Sequence, residues 1–81
     1  VGCPLLVGRD PARCQVLLDY EPSVSRVQCE LSLRGEEVWL RNLSQANITQ
    51  VNGQRIEGEC RLNSGSTLKI GRLMLKVEYQ Q

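Results

Sequence analysis

Residues 27–41 read Val-Gln-Cys-Glu-Leu-Ser-Leu-Arg-Gly-Glu-Glu-Val-Trp-Leu-Arg, and the period of this stretch decides the fold. Val27, Cys29, Leu31 and Leu33 occupy every second position, with Gln28, Glu30 and Ser32 between them. That spacing gives a β-strand one apolar face, whereas a helix would need apolar residues every third or fourth position. Arg34-Gly35-Glu36-Glu37 separates the run from Val38-Trp39-Leu40-Arg41, a short glycine-containing loop between the strands of a hairpin. Further along, Leu73, Leu75, Val77 and Tyr79 alternate with Met74, Lys76 and Glu78 in the same way. Asn52-Gly53 is the sharpest turn signal, because a type I′ turn needs positive φ at successive residues and this dipeptide tolerates it. It joins Thr49–Val51 to Gln54–Ile56 in a second hairpin. Asn63-Ser64-Gly65-Ser66 leads into Thr67–Ile70, and Gly71-Arg72 into the last strand. No long window has helical periodicity, so the expectation is an all-β chain of about seven or eight short, mostly antiparallel strands in a two-sheet sandwich.

At 81 residues the chain is expected to form a single domain over 1–81 with one core and little stability to spare. It opens on Val1 rather than methionine, so it is expected to be a piece of a longer protein. Ten Lys+Arg against nine Asp+Glu give a net charge of +1, too balanced for a surface that neutralises many nucleic-acid phosphates. Anion recognition, if present, is local. Eight of the ten cations are Arg, the side chain whose planar fork suits phosphate and carboxylate. Apolar runs fall well short of the ~18 residues of a membrane span, and no direct membrane contact is expected.

Cys3, Cys14, Cys29 and Cys60 lie far apart, without a C-x-x-C pair and without any histidine, so neither a metal site nor a cofactor is expected. Reduced, mostly buried thiols in an intracellular (cytoplasmic or nuclear) protein are the expectation. A secreted adhesion-type domain is a third reading, allowed by the four cysteines and by the sequons at Asn42-Leu43-Ser44 and Asn47-Ile48-Thr49. Without histidine, catalysis would need a carboxylate pair, an activated cysteine or a lysine nucleophile, and none is visible. Glu36-Glu37 and the Glu57-Gly58-Glu59 segment read as solvated loop charges, and a non-enzymatic module is expected.

What remains is polar residues where strands end: Gly8-Arg9 after Leu5-Leu6-Val7, Ser25-Arg26 before Val27, and Asn47 before Thr49. Loops at one end of a sandwich converge on ligands while the sheets hold them. Two guanidinium groups and a hydroxyl suit a dianion, the competing role for Arg9 and Arg26 being ion pairs with Asp10, Asp19 or Glu21.

In order and spacing, Gly8-Arg9, Ser25-Arg26-Val27-Gln28, Asn47-Ile48-Thr49 and Val51-Asn52-Gly53 resemble the pattern of forkhead-associated domains: Gly-Arg, Ser-x-x-His, Asn-Gly-Thr and Val-Asn-Gly. Gly65-Ser66-Thr67-Leu68-Lys69-Ile70-Gly71 is similar to that family's closing Gly-Asp and Ile-Gly elements. The resemblance implies a two-sheet sandwich whose loops bind phosphothreonine in a phosphorylated protein or peptide. By it, Arg9 holds the phosphate or the peptide main chain, Ser25 donates to a phosphate oxygen, Arg26 adds a second positive charge, and Asn47 bonds the adjacent peptide backbone. The chain departs from the pattern at Gln28, where the family has histidine, at Ile48, where it has glycine, and at Ala46, which lacks a side-chain donor. A β-branched Ile48 resists positive φ, so the loop around Asn47 is expected to follow its own path. The alternative reading is the same fold used as a phosphate-independent structural or oligomerisation unit. The family also opens with strands ahead of Gly-Arg, where only 1–7 is available here.

Overall fold

The computed structural model describes residues 4–79. In these residues the all-β reading holds: there are nine strands and no helix. A five-stranded sheet contains β1 (Leu5–Gly8), β2 (Val16–Leu17), β3 (Cys29–Arg34), β4 (Glu37–Asn42) and β7 (Glu59–Leu62), in the order β2-β1-β3-β4-β7. A four-stranded sheet contains β5 (Thr49–Val51), β6 (Gln54–Ile56), β8 (Ser66–Ile70) and β9 (Leu73–Val77), in the order β6-β5-β8-β9. Every pairing is antiparallel except β1 with β2.

Both predicted hairpins form. β3 and β4 are joined through Gly35 (φ 63°), with Arg34 opposite Glu37. Asn52 (φ 52°) and Gly53 (φ 83°) close β5 on β6, the pair of positive φ values that a type I′ turn demands. Inward side chains from both sheets make one core, with Val7, Cys29, Leu40 and Leu62 from one sheet meeting Val51, Leu68 and Ile70 from the other. Val24, in the connection between β2 and β3, is fully buried in the same core. At β9 the alternation runs as expected, with Leu73, Leu75 and Val77 packed on the core and Met74 and Lys76 outward. The strand stops before Tyr79, whose hydroxyl donates instead to the Leu62 carbonyl at 2.6 Å.

Three expectations need correction. β3 starts at Cys29 rather than Val27, and Gln28 does not alternate outward: Gln28 and Cys29 are both fully buried, at 0% exposure. The physical reason is that Gln28 is a loop-to-loop connector rather than a ladder residue, as its bonds below make plain. Glu59 is not a solvated loop charge: it opens β7 and pairs with Arg41 in the ladder, and its carboxylate accepts from Arg34. Glu37 likewise is bound rather than free, its carboxylate lying 3.3 Å from Arg61 and accepting from Trp39 Nε1.

Candidate functional site

Three loops meet at one end of the sandwich: residues 9–15 after β1, 18–28 before β3, and 43–48 between β4 and β5. The first two are laced together at the Arg26 carbonyl, which accepts from Arg9 N (3.0 Å), Asp10 N (3.1 Å) and the Cys14 thiol (3.2 Å). Gly8 makes room for this. A Cβ there would stand 2.1 Å from the Arg26 oxygen, so only glycine allows the strand to pass so close.

The Arg9 guanidinium donates through Nε to the Val24 carbonyl, which anchors the side chain and leaves its outer nitrogens free to meet a ligand. Among the described residues neither Arg9 nor Arg26 forms an ion pair; Asp10 pairs with Arg13 instead, at 3.4 Å. Arg9, Asp10, Pro11 and Arg26 line a depression of about 270 Å³.

Ser25 lies beside Arg26 and joins this depression to the third loop. Its Oγ is 2.6 Å from Ser44 Oγ and accepts from Asn47 Nδ2 at 2.8 Å. Ser44 Oγ in turn accepts from Asn47 N at 3.2 Å, a short local cap that closes the 44–47 turn. Below them, Gln28 Oε1 accepts from Ser25 N at 3.0 Å, while Gln28 Nε2 donates to the Asn47 carbonyl at 3.0 Å and to Thr49 Oγ1 at 2.9 Å. The Gln28 carbonyl takes the N–H groups of Leu43 and Ser44, both at 3.0 Å. Asn42 completes the frame, accepting from the Thr49 hydroxyl at 3.1 Å and donating to the Ser44 carbonyl at 2.8 Å. A second depression, of about 240 Å³, includes Asn42, Ser44, Asn47 and Ile48 in its wall.

Of the residues singled out from sequence, Ser25 and Asn47 are in direct contact, and Arg9 and Arg26 share one depression on the adjoining loop. Ile48 does not adopt positive φ, since Asn52 is the one non-glycine residue that does among those described. Asn47 nevertheless reaches Ser25, so the loop attains its geometry without the family's glycine. Ser44, Asn42 and Thr49 were missed. The serine three residues before Asn47 is the signal that could have found the first of them, because a hydroxyl at that spacing caps a turn.

The three described cysteines, Cys14, Cys29 and Cys60, are free, and Cys3 lies outside the described residues. Burial, with Cys14 close by as a smaller contributor, pushes the Cys29 thiol up to about 12. Among the described residues no three metal-ligating side chains gather in one place.

A family model described as FHA domain matches residues 5–71. Human proliferation marker protein Ki-67 is 39% identical over 49 residues, which is 60% of this chain and 2% of that protein's length. Among solved structures, the FHA domain of CT664 from Chlamydia trachomatis superposes with a TM-score of 0.85 at 27% identity, covering 98% of this chain and 79% of that one. A chain from a structural and functional analysis of phosphothreonine-dependent FHA domain interactions gives a TM-score of 0.89 at 25% identity, covering 100% of this chain and 81% of that one. The FhaA FHA domain, complexed with the intracellular domain of Rv3910, gives 0.81 at 26% identity over 91% of this chain and 78% of that one.

Proposed function

The chain belongs to the FHA domain family, and on that premise we propose that it recognises phosphothreonine-containing segments of partner proteins through Arg9, Ser25, Arg26 and Asn47. FHA domains are phosphothreonine-peptide-binding interaction modules rather than enzymes. The similar chain studied for phosphothreonine-dependent interactions, and the FhaA domain held in complex with a protein partner, support extending that role to this molecule.

The observation that carries the reading is the hydrogen-bond count at Ser25. A hydroxyl has one proton and two lone pairs. Ser44 Oγ accepts from Asn47 N and Ser25 Oγ accepts from Asn47 Nδ2; either hydroxyl can donate across their 2.6 Å contact, and in the arrangement we assign Ser44 donates to Ser25. Both Ser25 lone pairs are then in use. Its remaining proton is left to donate outward, as a phosphate oxygen requires. Arg9, held through Nε, and Arg26 across the same depression supply the positive charge for a dianion. Asn47 keeps its carboxamide oxygen and a second N–H for peptide backbone, so it both positions Ser25 and contacts the ligand.

Hydrogen bonds to a charged group contribute roughly 1.5–3 kcal/mol, so removing one weakens binding by about tenfold or more. Calorimetry with a phosphothreonine peptide that binds the native chain is the test, using Arg9→Ala and Ser25→Ala checked for native folding. Loss of about tenfold in each is expected. Unchanged affinity in both folded variants would remove the site from this end of the sandwich.

A further inference from the structure

Gln28 links the loop that carries Ser25 to the loop that carries Asn47 from a buried position beneath them. The four-stranded sheet reaches the same two loops through Gly71-Arg72, the turn between β8 and β9. Ile70 pairs with Leu73 across this turn, so the ladder fixes where its two residues stand. On one side the Gly71 N–H donates to the Ile48 carbonyl at 3.3 Å, one residue past Asn47. On the other the Arg72 N–H donates to Ser23 Oγ at 2.9 Å, two residues before Ser25. Successive amides of one turn thus hold both recognition loops.

The approach to Ser23 is close as well as bonded. A Cβ on Gly71 would stand 2.5 Å from the Ser23 carbonyl oxygen, and φ at Gly71 is 58°, so glycine is required for both the space and the backbone conformation. The chain has little slack to absorb a shift at Ser23. Val24, the one residue between Ser23 and Ser25, is fully buried in the core, so the two serines move together.

We propose that Ser23 and Gly71 are positioning residues for phosphothreonine recognition. The Gly71-Arg72 turn sets the separation of the two loops, and with it the 2.8 Å bond from Asn47 Nδ2 to Ser25 Oγ that leaves the Ser25 proton for the ligand. Both residues act through Ser25 and Asn47 rather than on the phosphate. The inference rests on the phosphothreonine reading and extends it to residues outside the site.

The test measures anisotropy of a labelled phosphothreonine peptide that binds the native chain. Ser23→Ala deletes the acceptor of an amide on an exposed turn residue, where water can take its place, so the melting temperature should stay close to native. Affinity should nevertheless fall by about threefold or more, the scale of one hydrogen bond. In a Ser25→Ala background the same substitution should change affinity by less than about 1.5-fold, because its effect runs through the Ser25 hydroxyl. In the unliganded protein the side-chain amide resonances of Asn47 should move in Ser23→Ala. Gly71→Ala, whose added Cβ meets backbone, should lose more affinity and melt lower. Native affinity in Ser23→Ala and in folded Gly71→Ala, or an equal loss with and without the Ser25 hydroxyl, overturns the positioning role while phosphothreonine recognition stands. If no phosphothreonine peptide binds the native chain, the phosphothreonine reading fails first and the positioning role falls with it.

Discussion

Replacing Gln28 with alanine should loosen the site and the domain together. The Gln28 side chain is fully buried and makes three hydrogen bonds, with Ser25 N, the Asn47 carbonyl and Thr49 Oγ1, at 3.0, 3.0 and 2.9 Å. Thr49 is also fully buried but keeps its bond to Asn42, and half-buried Ser25 and Asn47 can recruit water in part. At about 1 kcal/mol for each bond lost, and about 1 kcal/mol more for the void, the cost is about 4 kcal/mol. A domain of ordinary stability, about 5–15 kcal/mol, would survive this with a much reduced margin. Urea unfolding followed by Trp39 fluorescence measures it, since Trp39 is the sole tryptophan. The folded fraction of Gln28→Ala should also bind phosphothreonine peptide more weakly, because Ser25 and Asn47 lose the anchor they share. A stability loss below about 1 kcal/mol with undiminished binding would refute the claim that Gln28 holds the two loops in register.

Gly8→Ala should destabilise by about 2 kcal/mol or more, because its Cβ would meet backbone, the Arg26 oxygen at 2.1 Å, rather than a movable side chain; thermal unfolding reads this directly. Arg41→Ala should leave phosphopeptide affinity within about twofold by calorimetry, since Arg41 is exposed on β4 between Glu30 and Glu59, where exposed pairs contribute little. Folding stability should fall as pH rises from about 9 toward 12. The folded Cys29 thiol is held up to about 12 against an ordinary value of 9.0, so above 9.0 the unfolded chain gains by deprotonating before the folded one does. A Cys29→Ala variant, less stable at neutral pH, should show a shallower loss over that window.

Much of the fold was legible because local signals and global packing agree along most of the chain. The alternation in Leu73–Val77 and the Asn52-Gly53 turn each determine a strand face or a register without help from distant residues. β2 and β7 were not legible. β2 has two residues, too few for any period, and β7 follows Gly58 and begins with a glutamate whose outward position in the ladder cannot be told from a loop charge in sequence. Gln28 shows the opposite failure. Its place in an alternating run argues for solvent, yet the demands of two loops draw it inside, where three hydrogen bonds offset the cost of burying an amide.

At the site, Ser25 and Asn47 were legible through the family pattern, and the structure adds why they meet. Ser44 caps its own turn at Asn47 but reaches Ser25 only through the fold, and Thr49 meets Gln28 from 21 residues away, a contact that no local spacing marks. The anchoring of Arg9 on the Val24 carbonyl depends in the same way on a tertiary approach that the Gly8-Arg9 pair hints at but does not specify.

The most direct measurement is isothermal calorimetry of the native chain against a library of threonine peptides, each in matched phosphorylated and unmodified forms. Phosphate-dependent binding is predicted for a subset of the sequences, with the unmodified partners at least about tenfold weaker. Absence of binding by every phosphorylated peptide, or equal binding of phosphorylated and unmodified forms, would contradict the account and leave the fold as a phosphate-independent structural unit.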